Sequence, residues 1–169
     1  METLYHLKQV LTAYAEDAER LYKDNLRNEG KIASGELLDS VHAVVTGDDA
    51  VAYEVKLNLA YYWKFVEGGS KGKVSSPLGA VYPAHWPPVD ALLNWIQVKP
   101  VIPRPLANGK LPTPGQLAFL IGRKIYTKGI DPVPALEDTL KALNERYRVE
   151  IAKALALDVR DYLYSTLRP

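Results

Sequence analysis

Nine of the chain's twelve prolines lie between Pro77 and Pro114, and that concentration limits the fold before any other feature does. Proline fixes φ and has no backbone N–H, so neither a continuous helix nor an inner strand can run through such a stretch. The chain has 169 residues, one domain's worth, so its long regular elements must come from the segments on either side.

Those flanks carry clear periods. Leu4, Leu7, Leu11, Tyr14, Ala18 and Leu21 recur at spacings of three and four, which predicts a helix from residue 3 to about 28, ended by Gly30. Val41, Ala43 and Val45, then Val51, Tyr53, Val55 and Leu57, alternate with more polar residues on either side of Gly47, Asp48 and Asp49. That pattern predicts an antiparallel hairpin with one buried face. Leu136, Leu140, Leu143, Tyr147, Ile151, Ala154 or Leu155, Val159 and Tyr162 predict a last helix from about 134 to 166, kinked or broken along its length. The expected fold is α+β, an antiparallel sheet packed against long N- and C-terminal helices. The chain reads as one domain, with 70–112 as an inserted Pro/Gly-rich arm.

The segment "AYYWKFVEGGSKGK" (residues 60–73) leads into that arm. Tyr61, Phe65 and Tyr62 suit the packed face of a short helix, with Trp63 and Lys64 turned away and Gly68 and Gly69 closing it. Beyond it, "SKGKVSSPLGAVYPAHWPP" is expected to be irregular, which makes the glycines a hinge between packed and mobile chain. Within the arm, "PPVDALLNWIQVK" resumes helical spacing behind Pro87 and Pro88, and "PVIPRPLANGKLP" is extended. Thr113, Pro114 and Gln116 form a capping box that opens a helix ending at Gly129, with Leu117, Leu120, Ile121 and Ile125 as its apolar face.

Charge is unevenly spread. Residues 1–63 hold six Lys/Arg against eleven Asp/Glu, residues 64–128 nine against two, and residues 129–169 six against seven. A basic middle between acidic ends suits either a polyanion or a neighbouring copy of the same chain. Lys64, Lys71, Lys73, Lys99, Arg104, Lys110, Arg123, Lys124 and Lys128 lack the aromatic interleaving of a single-strand binder and any base-reading helix pattern. Contact with DNA through them would go to phosphates, without sequence preference. Trp63, Trp86 and Trp95 read as packing or interface anchors.

Signals for catalysis are weak. His6, His42 and His85 are far apart with no helical-spacing partner, so no metal site is expected. Zero cysteines exclude disulfides and thiolate chemistry and fit a reducing cytoplasm. The N-terminus lacks an apolar signal core, and no apolar run is long enough to span a bilayer. "GGSKGK" lacks the Gly-Lys-Ser/Thr ending of a phosphate loop. Glu67 beside aromatics would serve either as a general acid or, the favoured alternative, as a cap or ion-pair partner at a helix end or subunit boundary. No enzyme activity and no cofactor are expected.

Two segments resemble a known family. "ASGELLDSV" (Ala33–Val41) and "LAYYWKFVEGG" (Leu59–Gly69) are similar to the Gly-Leu-Ser and Tyr-Glu-Gly segments of the tail-completion and head–tail connector (neck) proteins of tailed bacteriophages. The order helix, Gly-Leu-Ser segment, hairpin, Glu-Gly segment, variable arm and last helix also resembles that family. Glu36 stands where the family usually has a basic residue, and Glu67 meets Gly68 directly. The resemblance implies a non-enzymatic virion protein, assembled in the host bacterial cytoplasm into a homo-oligomeric ring of six- or twelve-fold symmetry. Its expected neighbours are portal or adaptor and tail proteins, with packaged DNA passing through the channel and no membrane involved. Tyr61, Tyr62, Phe65, Glu67, Val74, Leu78, Tyr82 and Trp86 are then the expected subunit interface. Lys71, Lys73, Lys99, Arg104 and Lys110 are the expected backbone contacts to DNA. A stand-alone, sequence-independent DNA-binding module is the alternative.

Overall fold

The structure, a computed structural model, describes residues 4–30, 35–48, 52–99 and 101–167. Its elements follow in the order α1 (Tyr5–Asn28), α2 (Glu36–Ser40), β1 (His42–Asp48), β2 (Ala52–Asn58), α3 (Trp63–Gly68), β3 (Ser70–Lys71), α4 (Val89–Val98), α5 (Pro114–Lys128), β4 (Gly129–Ile130) and α6 (Ala135–Leu167). The fold is α+β with long terminal helices, as the periodicities require. The chain forms two compact units. The first is Met1–Gly30, Leu38–Ala60 and Ala135–Pro169; the second is Lys31–Leu37 and Tyr61–Pro134.

In the first unit α1 is the element on which both the hairpin and α6 pack. It manages this with two stripes. Val10, Tyr14 and Leu21 pack on the α6 residues Leu143 and Tyr147. Lys8 and Glu19, which helical spacing places on a different face, meet the hairpin: Lys8 Nζ lies 5.8 Å from the centre of the Tyr53 ring. Glu19 accepts the Ala43 N–H at 3.1 Å, and its carboxylate lies 3.3 Å from His42 Nδ1. The Lys23 ammonium, 2.6 Å away, is the main cause of a Glu19 carboxyl held below its usual range. The fully or nearly buried residues of α1 are Ala15, Ala18, Tyr22 and Leu26. Of the stripe expected from sequence only Ala18 is among them, because a helix covered on two sides buries the residues between its stripes most deeply.

The hairpin has the predicted register. Ala43 pairs with Leu57, Val45 with Val55 and Gly47 with Tyr53, so these residues share one face, half-buried except at Gly47, and His42, Thr46, Glu54 and Lys56 lie on the exposed one. Asp49 and Val51 of the predicted turn and strand lie outside the described residues. Residues 37–40, grouped with the hairpin by sequence, belong instead to α2. The Ser40 hydroxyl accepts the Ala60 N–H at 2.8 Å and so ties the two ends of the hairpin together.

α6 is a single unbroken helix of 33 residues that runs antiparallel to the 24-residue α1. The pairing is visible along its length. Asn25 Nδ2 donates to Thr139 Oγ1 at 2.9 Å, the Tyr147 hydroxyl donates to Asp17 at 2.7 Å, and the Tyr14 and Tyr147 rings meet edge to face at 5.3 Å. At the far end Asp158, 3% exposed, accepts the backbone N–H groups of His6 and Leu7, both at 2.8 Å. α1 has no side-chain cap of its own at Leu4, so α6 supplies the cap that satisfies two of its orphan donors.

The second unit contains most of the expected arm. Leu92 of α4 packs where Gly122 of α5 leaves room: a Cβ on Gly122 would lie 3.2 Å from Leu92 and 3.3 Å from the Trp86 ring. The capping box is present in full. Thr113 Oγ1 accepts the Gln116 N–H at 3.3 Å, and Gln116 Oε1 accepts the Thr113 N–H at 3.0 Å. The deepest residues of α5 are Ala118 and Gly122, with Leu117, Leu120, Ile121 and Ile125 half-buried around them. Residues 101–113 have no helix or strand; they contain a turn in which the Leu106 N–H donates to the Lys110 carbonyl at 2.8 Å.

Candidate interaction surfaces

The glycine-rich exit from α3 is not a hinge. Ser70 and Lys71 pair with Ile130 and Gly129. Gly68 and Gly69 carbonyls accept N–H groups from Val81 and Tyr82 at 2.7 and 3.3 Å, and the Lys71 N–H returns a 2.7 Å bond to Tyr82. Gly69 (φ 55°) and Gly129 (φ 82°) occupy left-handed backbone that other residues avoid. A Cβ on Gly69 would sit 2.4 Å from the Ile130 carbonyl oxygen, and one on Gly129 2.1 Å from that of Ser70. "VEGGSKGK" is therefore a place where two backbone segments cross at contact distance. Its glycines provide close approach: a Cβ on Gly68, Gly69 or Gly72 would lie within 3 Å of a neighbouring atom.

The loop that follows is fixed in the same way. Lys73 N–H donates to the Tyr126 carbonyl at 2.8 Å, and Val74 and Ser75 donate to that of Thr127 at 3.0 and 3.2 Å. Pro77 and Ala80 close a turn with Gly79 at φ 77°. The chain beyond Lys71 is irregular, as expected, but its backbone is hydrogen-bonded within its own unit rather than free of it. The side chains face the other way. Leu78 is 98% exposed, Val74 83% and Val81 64%.

The remaining residues of the expected interface divide. Tyr82 stacks on Phe65 with ring centres 4.6 Å apart, and Trp86 packs at 5.5 Å from Phe119 and 5.7 Å from Tyr126. These three rings are partly used inside the unit. Tyr61 is 84% exposed, against the expectation that it packs with Phe65. The reason is local: α3 begins only at Trp63, so Tyr61 lies before the helix and the i, i+4 alignment does not apply. Tyr62 and Trp63 are half-buried instead. Burial, with the nearby Glu36 carboxylate, raises the Tyr62 hydroxyl above its usual range. Glu67 is half-buried on α3.

The basic residues divide as well. Lys71 pairs across to Gly129 and Lys73 bonds to Tyr126, which puts both beside Lys124 and Lys128 at the end of α5. Lys99 lies at the end of α4, 5.8 Å from the centre of the Trp95 ring, and Arg104 and Lys110 sit on the 101–113 segment. The second unit as a whole holds ten Lys/Arg against four Asp/Glu, a net +6, which leaves the first unit at −5. Lys71, Lys73, Arg123, Lys124 and Lys128 form no ion pair among the described residues. The first unit, by contrast, neutralises many of its acids internally, as in Asp17 with Arg20 and Arg146 and Asp24 with Arg27.

Sequence reasoning missed two features of the first unit. One is Asp158, whose signal was an acid falling on the buried α6 stripe Leu143, Tyr147, Ile151, Ala154. The other is the surface beyond it. Leu155, Val159, Tyr162 and Leu163 lie at spacings of four, three and one along the flank of α6 beside its Asp158 side, and all are about half exposed; Leu167 is 77% exposed. The sequence stripe runs through Ala154 or Leu155 to Val159 and Tyr162; Ala154 is the buried one of the first two, while Val159 and Tyr162 are exposed. Val159 and Tyr162 are exposed because Asp158 already meets the first turn of α1, so α6 runs on beyond the helix it packs on.

Histidines pair with acids of the first unit only, His6 with Asp161 and His42 with Glu19, each at 3.3 Å. Among the described residues no group of three or more His, Cys, Asp or Glu is placed to hold a metal ion, and no helix is long and apolar enough to cross a membrane. No model of a known protein family, no curated protein and no solved structure matches the chain.

Proposed function

We propose that this protein is a virion structural subunit that assembles as a homo-oligomeric ring at the head–tail junction of a tailed bacteriophage, joining portal or adaptor to tail around the DNA channel. The observation that carries the reading is the pair of segments "ASGELLDSV" and "LAYYWKFVEGG", set in the order long helix, hairpin, variable insertion and long helix that the neck proteins share. Exposed apolar side chains on ordered backbone in both units support it, since surfaces of that kind mark protein–protein contact.

Interrupting the gene in its phage tests the reading directly. Electron microscopy should then show DNA-filled heads and separate tails in place of joined particles, and normal tailed particles would refute it. The basic second unit, in which Lys71, Lys73, Arg123, Lys124 and Lys128 form no ion pair among the described residues, favours one further reading, DNA binding through phosphates. It predicts affinity for any duplex that falls steeply between about 50 and 200 mM salt. Fluorescence anisotropy at low salt with no signal would remove it.

A further inference from the structure

We infer that the rigid apolar loop 74–81 of one copy docks on the exposed C-terminal face of α6, residues 155–167, of a second copy. The inference rests on the ring reading and names the two surfaces that would meet. Loop 74–81 presents Val74, Leu78 and Val81 outward from backbone already bonded to Gly68, Tyr126 and Thr127. Little ordering entropy remains to be lost when it binds, which is how a preorganised surface gains affinity. Leu78, at the tip of a tight turn, is convex and nearly wholly exposed.

α6 offers the matching partner. Leu155, Val159, Tyr162 and Leu163 form an apolar strip along the flank of a helix that is fastened to α1 through Asp158 and Tyr147. Charge chooses between partners. A loop-to-loop or α6-to-α6 contact would bring together units of like net charge, +6 with +6 or −5 with −5. Loop to α6 brings +6 to −5, and complementary fields raise the encounter rate and disfavour the wrong pairing. Such a contact is heterologous, because each copy uses one surface to give and a different one to receive. Repetition of it builds a ring where the rotation closes.

The chain has no cysteine, so disulfide trapping reports only introduced thiols. Leu78→Cys and Val159→Cys proteins, mixed under mild oxidation, should form the mixed disulfide in clear excess over either homodimer, since bridging requires Cα atoms within about 7 Å. Leu78→Glu, at a site with no packing to lose, should weaken wild-type self-association at least tenfold by analytical ultracentrifugation. Predominant Val159–Val159 bridging would overturn the inference in favour of α6 pairing with itself. Oligomers of unchanged strength in Leu78→Glu would overturn it while leaving a ring intact. Wild type that stays monomeric at every concentration and with its phage's heads or tails present would overturn both.

Discussion

Asp158 carries the sharpest energetic prediction. Its carboxylate takes two backbone N–H groups at the start of α1, each at 2.8 Å, from a position 3% exposed. Asp158→Ala removes both bonds and the negative charge facing the positive end of the α1 dipole. Capping losses run at about 0.5–2 kcal/mol, and hydrogen bonds to a charged group contribute about 1.5–3 kcal/mol each. The two bonds share one carboxylate and water reaches part of the freed site, so the sum is discounted to about 3–4 kcal/mol. Asp158→Asn keeps the shape and one accepting oxygen, loses the charge, and should cost about 1–2 kcal/mol. With a urea m-value of about 2 kcal/mol/M, the midpoint falls by about 1.5–2 M for Ala and by less than 1 M for Asn. Far-ultraviolet circular dichroism in urea measures both. An alanine variant within about 0.5 kcal/mol of wild type, or an asparagine variant as damaged as alanine, would refute the capping role.

Two further outcomes follow from the same kind of accounting. Gly129→Ala places a Cβ 2.1 Å from the Ser70 carbonyl oxygen at φ 82°, so the β3–β4 crossing must open; a loss above about 3 kcal/mol is expected by thermal melting, against under 1 kcal/mol for the open-space control Gly115→Ala. Tyr147, whose hydroxyl burial and then the Asp17 hydrogen bond push up to about 12, is neutral in the folded protein where an exposed tyrosine near 10 has begun to ionise. Its folded value is raised, so its contribution is complete below about pH 10 and is lost as pH climbs toward 12, by at most about 2–3 kcal/mol. Tyr147→Phe should flatten that alkaline loss in denaturation measured from pH 8 to 12, and an unchanged difference between pH 9 and 11.5 would count against the buried bond.

Much of the fold was written in local pattern. The period of 3.6 in residues 5–28, the alternation in the hairpin, and Thr113 with Pro114 and Gln116 are each signals complete within one turn or a few residues. Local backbone preference and side-chain reach suffice to realise them. The candidate surfaces were legible only in part. Val74 and Leu78 were chosen as exposed apolar residues and are so, but Tyr61 and Phe65 were given a helical relation that the late start of α3 removes. Lys71 and Lys73 were grouped with Arg104 and Lys110 by composition. The β3–β4 pairing sets them beside Lys124 and Lys128, more than fifty residues away along the chain.

What the sequence determined by itself is the longer elements, α1, the hairpin, α4, α5 and α6, since those depend on repeats shorter than a helical turn or a strand pair; α2, β3 and β4 are too short to carry such a repeat. Tertiary structure alone decided which apolar sides are covered. α6 finds a partner only as far as α1 extends, so the same Leu, Val and Tyr spacing is core at Leu143 and Tyr147 and surface at Val159 and Tyr162. It also decided that glycines which look like freedom in the sequence are contact points. Whether a missing Cβ means motion or close approach depends on the chain that arrives opposite, and for Gly69 that chain is residues 130–132.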